Sequence, residues 1–548
     1  MPAEPGERPV GRAADGPGPA VIEGTAGYGL WLPVVLGAAA GLVMFGAFPP
    51  LDAGTLAWLA LVLFFFCLSQ CRRAWWGFVV GLVYGLVFFG MLTLYVSRFG
   101  LVPWALLTLV EAVFMGLLGY LGVGLNDVRR PGLRAVGLAS LWVLFEYLRG
   151  HRGSLSLTLG DVYYTQWAEL SLLQLASLGG GHLVSFLMAL LSAALATVAA
   201  AWLPLPLYRP SGMGPIFARD AARSLLVVYA VLFMGFFWGS WAYRAGQRAM
   251  AAADEVLGLP VGYVQAAVPT GGFGRSEDFP QTAEAYFRLT DTLPGGLGLV
   301  VWPETAIPAV LDYNPQYRDR LAALARQRNC YLLVGTNLRA PEGRLFNTLL
   351  LFDPKGQVVG RYAKVHLVLF GEYVPWRDRL PWLKRFPIRD FDYAPGEGLQ
   401  VMNASGMRFA PLICFEALFP QLARQACQQG AEFLVFCTSD VWAQGTYEVA
   451  QHSRTAVVRA VEARRYVVRV GSDGESLVIS PFGDRLAVLP IGTPGAQSET
   501  VFPVRALSLY HRWGDAPLML FCCGAWLAAG WAAGASRGRR TDAEKTVA

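Results

Sequence analysis

Hydrophobic residues in this chain fall into two textures. From residue 28 to about 245, and again near 516–534, apolar runs approach the roughly 20 residues that a helix needs to cross a bilayer. The pattern predicts spans near 28–48, 54–70, 76–96, 103–125, 131–149, 181–203 and 222–243, and an eighth near 516–534. Residues 255–508 read differently. Short apolar runs of strand length, "VGYVQAAVP", "GLVVWPE", "NCYLLVGTN", "NTLLLFDP", "FAPLICFE" and "AEFLVFCTSD", alternate with helical periodicity over 280–292, 315–328, 417–429 and 447–464. Buried strands alternating with helices predict an α/β domain. Residues 1–27, rich in Pro, Gly and Ala, are expected to be a disordered tail. Their lack of a compact basic start and a cleavage site argues against a removable signal peptide.

Composition agrees with a membrane protein. Of the 548 residues 54% are hydrophobic and 15% charged, against about 25% charged in soluble domains, and mean hydropathy is +0.40. The net charge of +6 contains no basic tract dense enough to suggest nucleic-acid binding. The eight cysteines fit no zinc or disulfide framework by spacing. Cys67, Cys71, Cys522 and Cys523 read as small buried hydrophobes in or beside apolar segments, and Cys427 and Cys437 as core residues rather than a pair.

Charge then orients the spans. Arg72 and Arg73, then Arg129, Arg130 and Arg134, then Arg209 and Arg219, occupy alternate loops, and Arg537, Arg539, Arg540 and Lys545 follow the last span. The intervening loops hold only Arg98, or His151 and Arg152. The positive-inside rule places both termini in the cytoplasm and the insert on the extracytoplasmic side. The expected organisation is a cytoplasmic tail (1–27), a seven-span membrane domain (28–245), an α/β domain (255–508), a final span (516–534) and a cytoplasmic tail (535–548).

Three strand ends carry unusual residues, and active-site groups in α/β folds gather at strand ends. "GLVVWPETAIP" ends in Glu304, "GRYAKVHLVLFGEYVP" presents Lys364 and then Glu372, and "FAPLICFEALFP" ends in Cys414 with Glu416. A thiol is a nucleophile as its thiolate. A nearby carboxylate can take its proton, and an ammonium favours the anion and stabilises the oxyanion of a tetrahedral intermediate. Each residue alone is weak evidence: a strand-end cysteine is usually core, and a lysine after Arg361 and Tyr362 usually a surface charge.

Together these segments resemble the carbon–nitrogen hydrolase (nitrilase) superfamily, whose Glu–Lys–Cys triad follows this chain order. Within it the chain is most similar to the membrane-embedded branch, the apolipoprotein N-acyltransferases. "FGAFPPLD", "WVLFEYLRG" with Trp142, Glu146 and Arg149, and "LLQLASLGGGHLVSFL" resemble that family's membrane half. "WPETAIP", "KVHLVLFGEYVP", "ICFE" and "TSDVW" resemble its catalytic half. The resemblance implies a multi-span α-helical membrane bundle with an inserted extracytoplasmic α/β domain similar to the nitrilase αββα sandwich. It implies Glu304 as general base, Lys364 as oxyanion-stabilising cation and Cys414 as nucleophile. Glu372, Phe415, Glu416, Trp302, Tyr373 and Trp442 become supporting or substrate-binding residues.

The implied reaction is ping-pong. The thiolate takes an acyl chain from a phospholipid, typically phosphatidylethanolamine, as a thioester, and the amine of a diacylglyceryl-cysteine apolipoprotein then accepts it as an amide. No metal or organic cofactor is implied. The implied location is a bacterial inner membrane with the catalytic domain on its periplasmic side, and a monomer is expected. Membrane spans suit bilayer-held substrates, since a soluble domain would extract each chain at about 0.8 kcal/mol per CH₂.

Several positions depart from the family pattern: Phe415 where a Tyr is frequent, "GSLSLTLGD" in place of a Phe-Pro-Trp element, "GSDGES" at Gly471 to Ser476 in place of Asn-Thr-Gly, and a loop with Phe273 and Phe279 where a Trp is usual. Among other residues, Glu111 inside a span reads as a partnered or neutral structural carboxyl, and Glu146 with Arg149 as a helical ion pair. His452 shows no separate orienting group and reads as structural. On a strand, His366 would share a face with Lys364. The "GGFG" at 271–274 lacks a phosphate-loop ending and fits a lid, and Trp376 and Trp382 suit either the bilayer surface or plain packing. Two other functions compete: a membrane-tethered amidase or nitrilase using the same triad with water, and a transporter whose external domain only binds ligand. The number of spans disfavours the first, and the intact triad with sparse charge in the spans disfavours the second.

Overall fold

The eight apolar stretches each carry a helix in the computed structural model, which describes residues 31–203, 215–252, 257–268, 279–341, 343–369, 371–374, 379 and 392–547. The expected tail at 1–27, the 271–274 loop with Phe273, and Trp376 and Trp382 lie outside the described residues. The first half runs through α1 (Trp31–Gly46), α2 (Leu56–Ser69), α3 (Ala74–Leu92), α4 (Leu101–Val123) and α5 (Pro131–Gly150). Two single turns, α6 (Leu170–Leu173) and α7 (Ala176–Gly179), lead to α8 (Gly181–Trp202) and α9 (Pro215–Ala251). Among the described residues five helices are long and apolar enough to cross a membrane: Ala74–Leu92, Leu101–Asp127, Gly181–Trp202, Pro215–Ala251 and Ala516–Arg539. α1 and α2 are apolar but shorter, and α5 buries Arg134, Glu146 and Arg149.

Small residues set how closely the bundle packs. Gly77, Gly81 and Gly85 recur every four residues and so share one face of α3. A Cβ on Gly81 would lie 2.0 Å from the Met115 carbonyl oxygen, and one on Gly77 2.4 Å from that of Gly119. The two backbones touch through this seam, as small residues permit between membrane helices.

The α/β domain contains two stacked sheets. One has seven strands: β1 (Leu259–Gln265), β2 (Leu299–Val301), β3 (Ile307–Val310), β4 (Tyr331–Arg339), β5 (Leu345–Phe352), β6 (Val358–Ala363) and, late in the chain, β13 (Gly495–Val501), in the order β13-β1-β2-β4-β5-β6 with β3 beside β4. The other, in order β12-β11-β10-β9-β8-β7, comprises β7 (Met402–Ala404), β8 (Met407–Ile413), β9 (Phe433–Thr438), β10 (Val467–Gly471), β11 (Ser476–Ile479) and β12 (Arg485–Leu489). β1, β2 and β4 are mutually parallel, as are β8, β9 and β10.

The period-two alternation of strand side chains separates the cores. Val261, Leu299, Val301, Leu333, Leu349, Phe409, Ile413, Val435 and Val468 point between the sheets. Val264, Val300, Leu332 and Val334 point the other way, under α10 (Phe279–Asp291) and α11 (Pro315–Arg328). Ala410, Leu412, Leu434, Phe436, Leu477 and Ile479 face α12 (Pro420–Gln428) and α13 (Glu448–Ala463), and this third core is continuous with that of the helical bundle. The result is a helix–sheet–sheet–helix sandwich seated on the bundle. α14 (Leu509–Trp513) and α15 (Ala516–Val547) close the chain.

Polar contacts fasten the seat. The Gly181 amide donates to Glu462 at 2.7 Å, the Thr158 hydroxyl donates to the Leu418 carbonyl at 3.0 Å, and Arg454 Nε donates to Asp52 at 3.2 Å. The expected Glu146–Arg149 pair does not form. Glu146 accepts from Trp142 Nε1 (2.9 Å) and from the Val162 amide (2.8 Å). Arg149 instead pairs with Glu111 at 2.8 Å and Asp161 at 3.2 Å, and Arg152 also reaches Glu111. Glu111 is thus a partnered carboxylate, one of the two expected forms.

Candidate active site

Glu304, Lys364 and Cys414, up to 110 residues apart in sequence, are brought together by three strand ends. Glu304 follows β2, Lys364 follows β6, and Cys414 follows β8 at the start of a 3₁₀ turn, Cys414–Leu418. Lys364 Nζ lies 2.9 Å from Glu372 Oε1 and 3.5 Å from Glu304 Oε1. Burial would discharge this ammonium, but Glu372 and Glu304 outweigh burial and hold its proton affinity well above that of an ordinary lysine.

The carboxylates are fixed in turn. The Asn347 side-chain amide donates to Glu304 Oε1 (2.6 Å) and to Glu372 Oε1 (3.0 Å). Glu304 Oε2 accepts from the Ser439 amide at 2.7 Å, and Glu372 Oε2 from the Val368 amide at 2.8 Å. Asn347 was missed in the sequence because "NTLLLF" reads as strand interior. On β5, however, Asn347 pairs with Asn337 near the end of β4, at the rim of the sheet.

Cys414 is 4% exposed and has φ +55, a left-handed conformation uncommon for a residue with a side chain. The side chain stays buried at the edge of the core between the sheets. Burial pushes the thiol well above its ordinary range. Glu304 and Asp440 add to that, while Lys364 and the Thr438 hydroxyl oppose it. Cys414 at rest is therefore a neutral thiol that would need a base to react, and Glu304 is the carboxylate with the largest effect on it.

Glu416 joins two of the three strand ends. It accepts from the Ile413 amide (2.7 Å), immediately before Cys414, and from the amides of Val365 (2.8 Å) and His366 (3.0 Å), just after Lys364. The Tyr362 hydroxyl donates to it at 2.8 Å. Burial raises this carboxyl, and the Ile413 amide, Lys364 and the other donors pull it back.

The remaining residues divide. Phe415 and Trp442 line the site, with ring centroids 5.8 Å apart, and Trp442 continues to Tyr95 (5.6 Å) and Phe99 (5.5 Å) of the membrane half. Leu157, Leu159, Leu418 and Phe419 extend this apolar wall toward the helices. Tyr373 is half-buried beside Glu372, its backbone bridged to Leu369. Trp302 is not brought to the group: it stacks on Tyr286 at 5.2 Å and donates to Thr290 at 3.0 Å in the core under α10. The His366 ring rests on Phe419 at 3.9 Å, and only its backbone amide joins the network. "GSDGES" forms the connection between β10 and β11.

His452 does have an orienting group. Its Nδ1 lies 3.1 Å from Asp440, which Arg469 holds at 2.9 Å, and its Nε2 lies 3.2 Å from the Cys414 carbonyl oxygen. Asp440 and Arg469 lie 12 and 17 residues from His452 on other elements, so no local motif announces them.

Comparison with known proteins follows the same two halves. The model of the apolipoprotein N-acyltransferase N-terminal domain matches residues 40–194, and that of the carbon-nitrogen hydrolase matches residues 261–501. An apolipoprotein N-acyltransferase of Azotobacter vinelandii is 31% identical over 512 residues, covering 89% of this chain and 93% of that protein. One from Geobacter metallireducens is 28% identical over 488 residues, covering 87% and 90%. Among solved structures, an amidase from Nesterenkonia sp. aligns at 22% identity and a TM-score of 0.33, covering 48% of this chain and 98% of its own.

Proposed function

The chain belongs to the apolipoprotein N-acyltransferase family, a bacterial membrane acyltransferase family with a carbon-nitrogen hydrolase catalytic domain, and from that premise we propose how its residues carry the reaction. Glu304 takes the Cys414 proton as Sγ attacks the ester carbonyl of a phospholipid. Lys364 faces the oxyanion of the tetrahedral intermediate. As the intermediate collapses, Glu304 returns the proton to the departing lysophospholipid oxygen, leaving a thioester on Cys414. The amine of a diacylglyceryl-cysteine protein then attacks the thioester. Glu304 takes the amine proton, the amide forms, and the thiol is restored.

Phosphatidylethanolamine is the proposed donor, the enzyme acts as a monomer, and the catalytic domain sits on the periplasmic side of the inner membrane with both termini in the cytoplasm. The arginine-rich alternate loops support that orientation. The single observation that carries the reading is the buried Lys364 ammonium shared by Glu304 and Glu372 beside Cys414. An apolar wall of Phe415, Trp442, Tyr95 and Phe99 runs from that site to the helices and suits an acyl chain arriving from the bilayer.

The test is intact-mass spectrometry of the purified full chain with phosphatidylethanolamine in detergent. The expected result is one acyl adduct, absent in Cys414→Ala, released by hydroxylamine and discharged by a diacylglyceryl-cysteinyl peptide. An adduct lost only to water would make the protein a lipid hydrolase. No adduct with any phospholipid would overturn the lipid-donor reading.

A further inference from the structure

The proton transfers above make no use of His452, yet it touches the nucleophile. It is 2% exposed, and each ring nitrogen faces an acceptor: Nδ1 the Asp440 carboxylate at 3.1 Å, and Nε2 the Cys414 carbonyl oxygen at 3.2 Å. A carbonyl can only accept. Asp440 is held at about 2 against burial, chiefly by Arg469, so it too only accepts. Both contacts are hydrogen bonds at once only when both ring nitrogens carry protons. The Phe415 ring lies stacked on the imidazole at 5.3 Å and 26°, an arrangement that favours a cation.

We propose that His452 is a positioning residue that works as an imidazolium: anchored by Asp440, it clamps the carbonyl of Cys414 and holds the nucleophile in its left-handed turn. The same charge offsets Asp440, whose carboxylate otherwise disfavours the thiolate.

The groups facing this assembly come from every element around it. They are Cys414 after β8, Asp440 after β9, Arg469 on β10, Asp473 before β11, Glu448 one turn earlier on α13, and Glu304 and Lys364 across the thiol. Gly474 completes the fit, since a Cβ there would stand 1.8 Å from Asp440 Oδ2.

The inference rests on the thioester reading, and two measurements separate them. The first is the rate of Cys414 acylation by phosphatidylethanolamine in the full chain, as a function of lipid concentration. In His452→Ala the maximal rate should drop about 100-fold with an unchanged half-saturating lipid concentration, as expected for a misplaced nucleophile. His452→Gln keeps one donor near the Nε2 position. It should stay within about 10-fold of wild type. The second is the histidine ¹⁵N spectrum of the folded protein at neutral pH, with His452→Gln identifying the signal; two protonated nitrogens are expected. A singly protonated ring overturns the proposal. So do wild-type rates in both variants, or equal losses in both. Should the alanine variant not fold, the glutamine variant and the spectrum decide. Should wild type form no adduct, the functional reading fails while the spectrum still tests the charge.

Discussion

The Lys364 ammonium stands 3.5 Å from the Glu304 carboxylate and is held there by a second carboxylate, Glu372, at 2.9 Å. One cation serves two buried anions, and the Asn347 amide bridges the same two. Removing the cation leaves like charges sharing one buried site.

Lys364→Met is therefore expected to damage both rate and stability. Loss of the proposed oxyanion partner should cost at least about 10²–10³-fold in the acylation rate. The abandoned carboxylates destabilise the domain by about 3–5 kcal/mol. Acyl-adduct formation and thermal unfolding of the full chain check the two effects. A variant that acylates within tenfold of wild type would remove Lys364 from the chemistry.

Glu416 gives a second test, because it ties the backbone before Cys414 to the backbone after Lys364. Its two oxygens accept four hydrogen bonds. Glutamine can accept at one oxygen only, and its NH₂ would confront donors at the other. With charged-acceptor bonds worth about 1.5–3 kcal/mol each, Glu416→Gln should lower the unfolding temperature and slow acylation. Glu416→Asp, which keeps the charge but shortens the reach, should retain more stability than Gln.

Glu304, Lys364 and Cys414 each stand at a strand end, a local feature that is weak alone, and only their order and surrounding motifs, through the family resemblance, joined them as a candidate site. The helices α10, α11 and α13 were legible from their period, and β1, β4, β5, β8 and β9 from runs of apolar residues. The strands that escaped notice are short or carry polar residues inward. β10 buries Arg469, which serves Asp440, so its charge masks a strand. β12 and β13 are half-buried and mixed in character. Asn347, Asp440 and His452 were hidden for another reason: their roles come from contacts between elements, which no spacing records. Trp302 shows the converse. It stands two residues before Glu304 in the motif, yet the chain turns between them and its ring faces the opposite core.

Glu111 and Arg149 predict a purely structural phenotype. The carboxylate is fully buried among membrane helices and is met by Arg149 and Arg152. Glu111→Leu takes the carboxylate partner from Arg152 and leaves Arg149 with Asp161 alone, and breaking a buried pair in this way typically costs about 3–5 kcal/mol. The expected result is a lower yield of folded protein and a lower unfolding temperature, with the acylation rate per folded molecule unchanged. A changed rate in well-folded protein would move this pair into the substrate path.

His511 predicts how stability depends on pH. It lies on α14, fully buried, with neither ring nitrogen hydrogen-bonded, and burial together with Arg465, Arg459 and Arg424 pushes it down to about 3. The unfolded chain takes up this proton near 6.5, so the neutral ring's contribution is complete above that value and declines as pH falls from 6.5 toward 3. The loss is about 1.4 kcal/mol for each unit of pH within that window. Asp473 works in the opposite direction. Burial and Asp440 raise it to about 6, so its protonation stabilises the fold on acidification and that gain is lost as pH rises through 6. Asp440, lowered to about 2, withdraws stability only below 3.8. Wild type alone would show the sum of these effects. The difference between wild type and His511→Leu isolates the histidine, because the two aspartates are common to both. Between pH 7.5 and 5 the unfolding temperature of wild type should fall relative to the leucine variant, and a constant difference across that range would place a charged or solvated imidazole at 511.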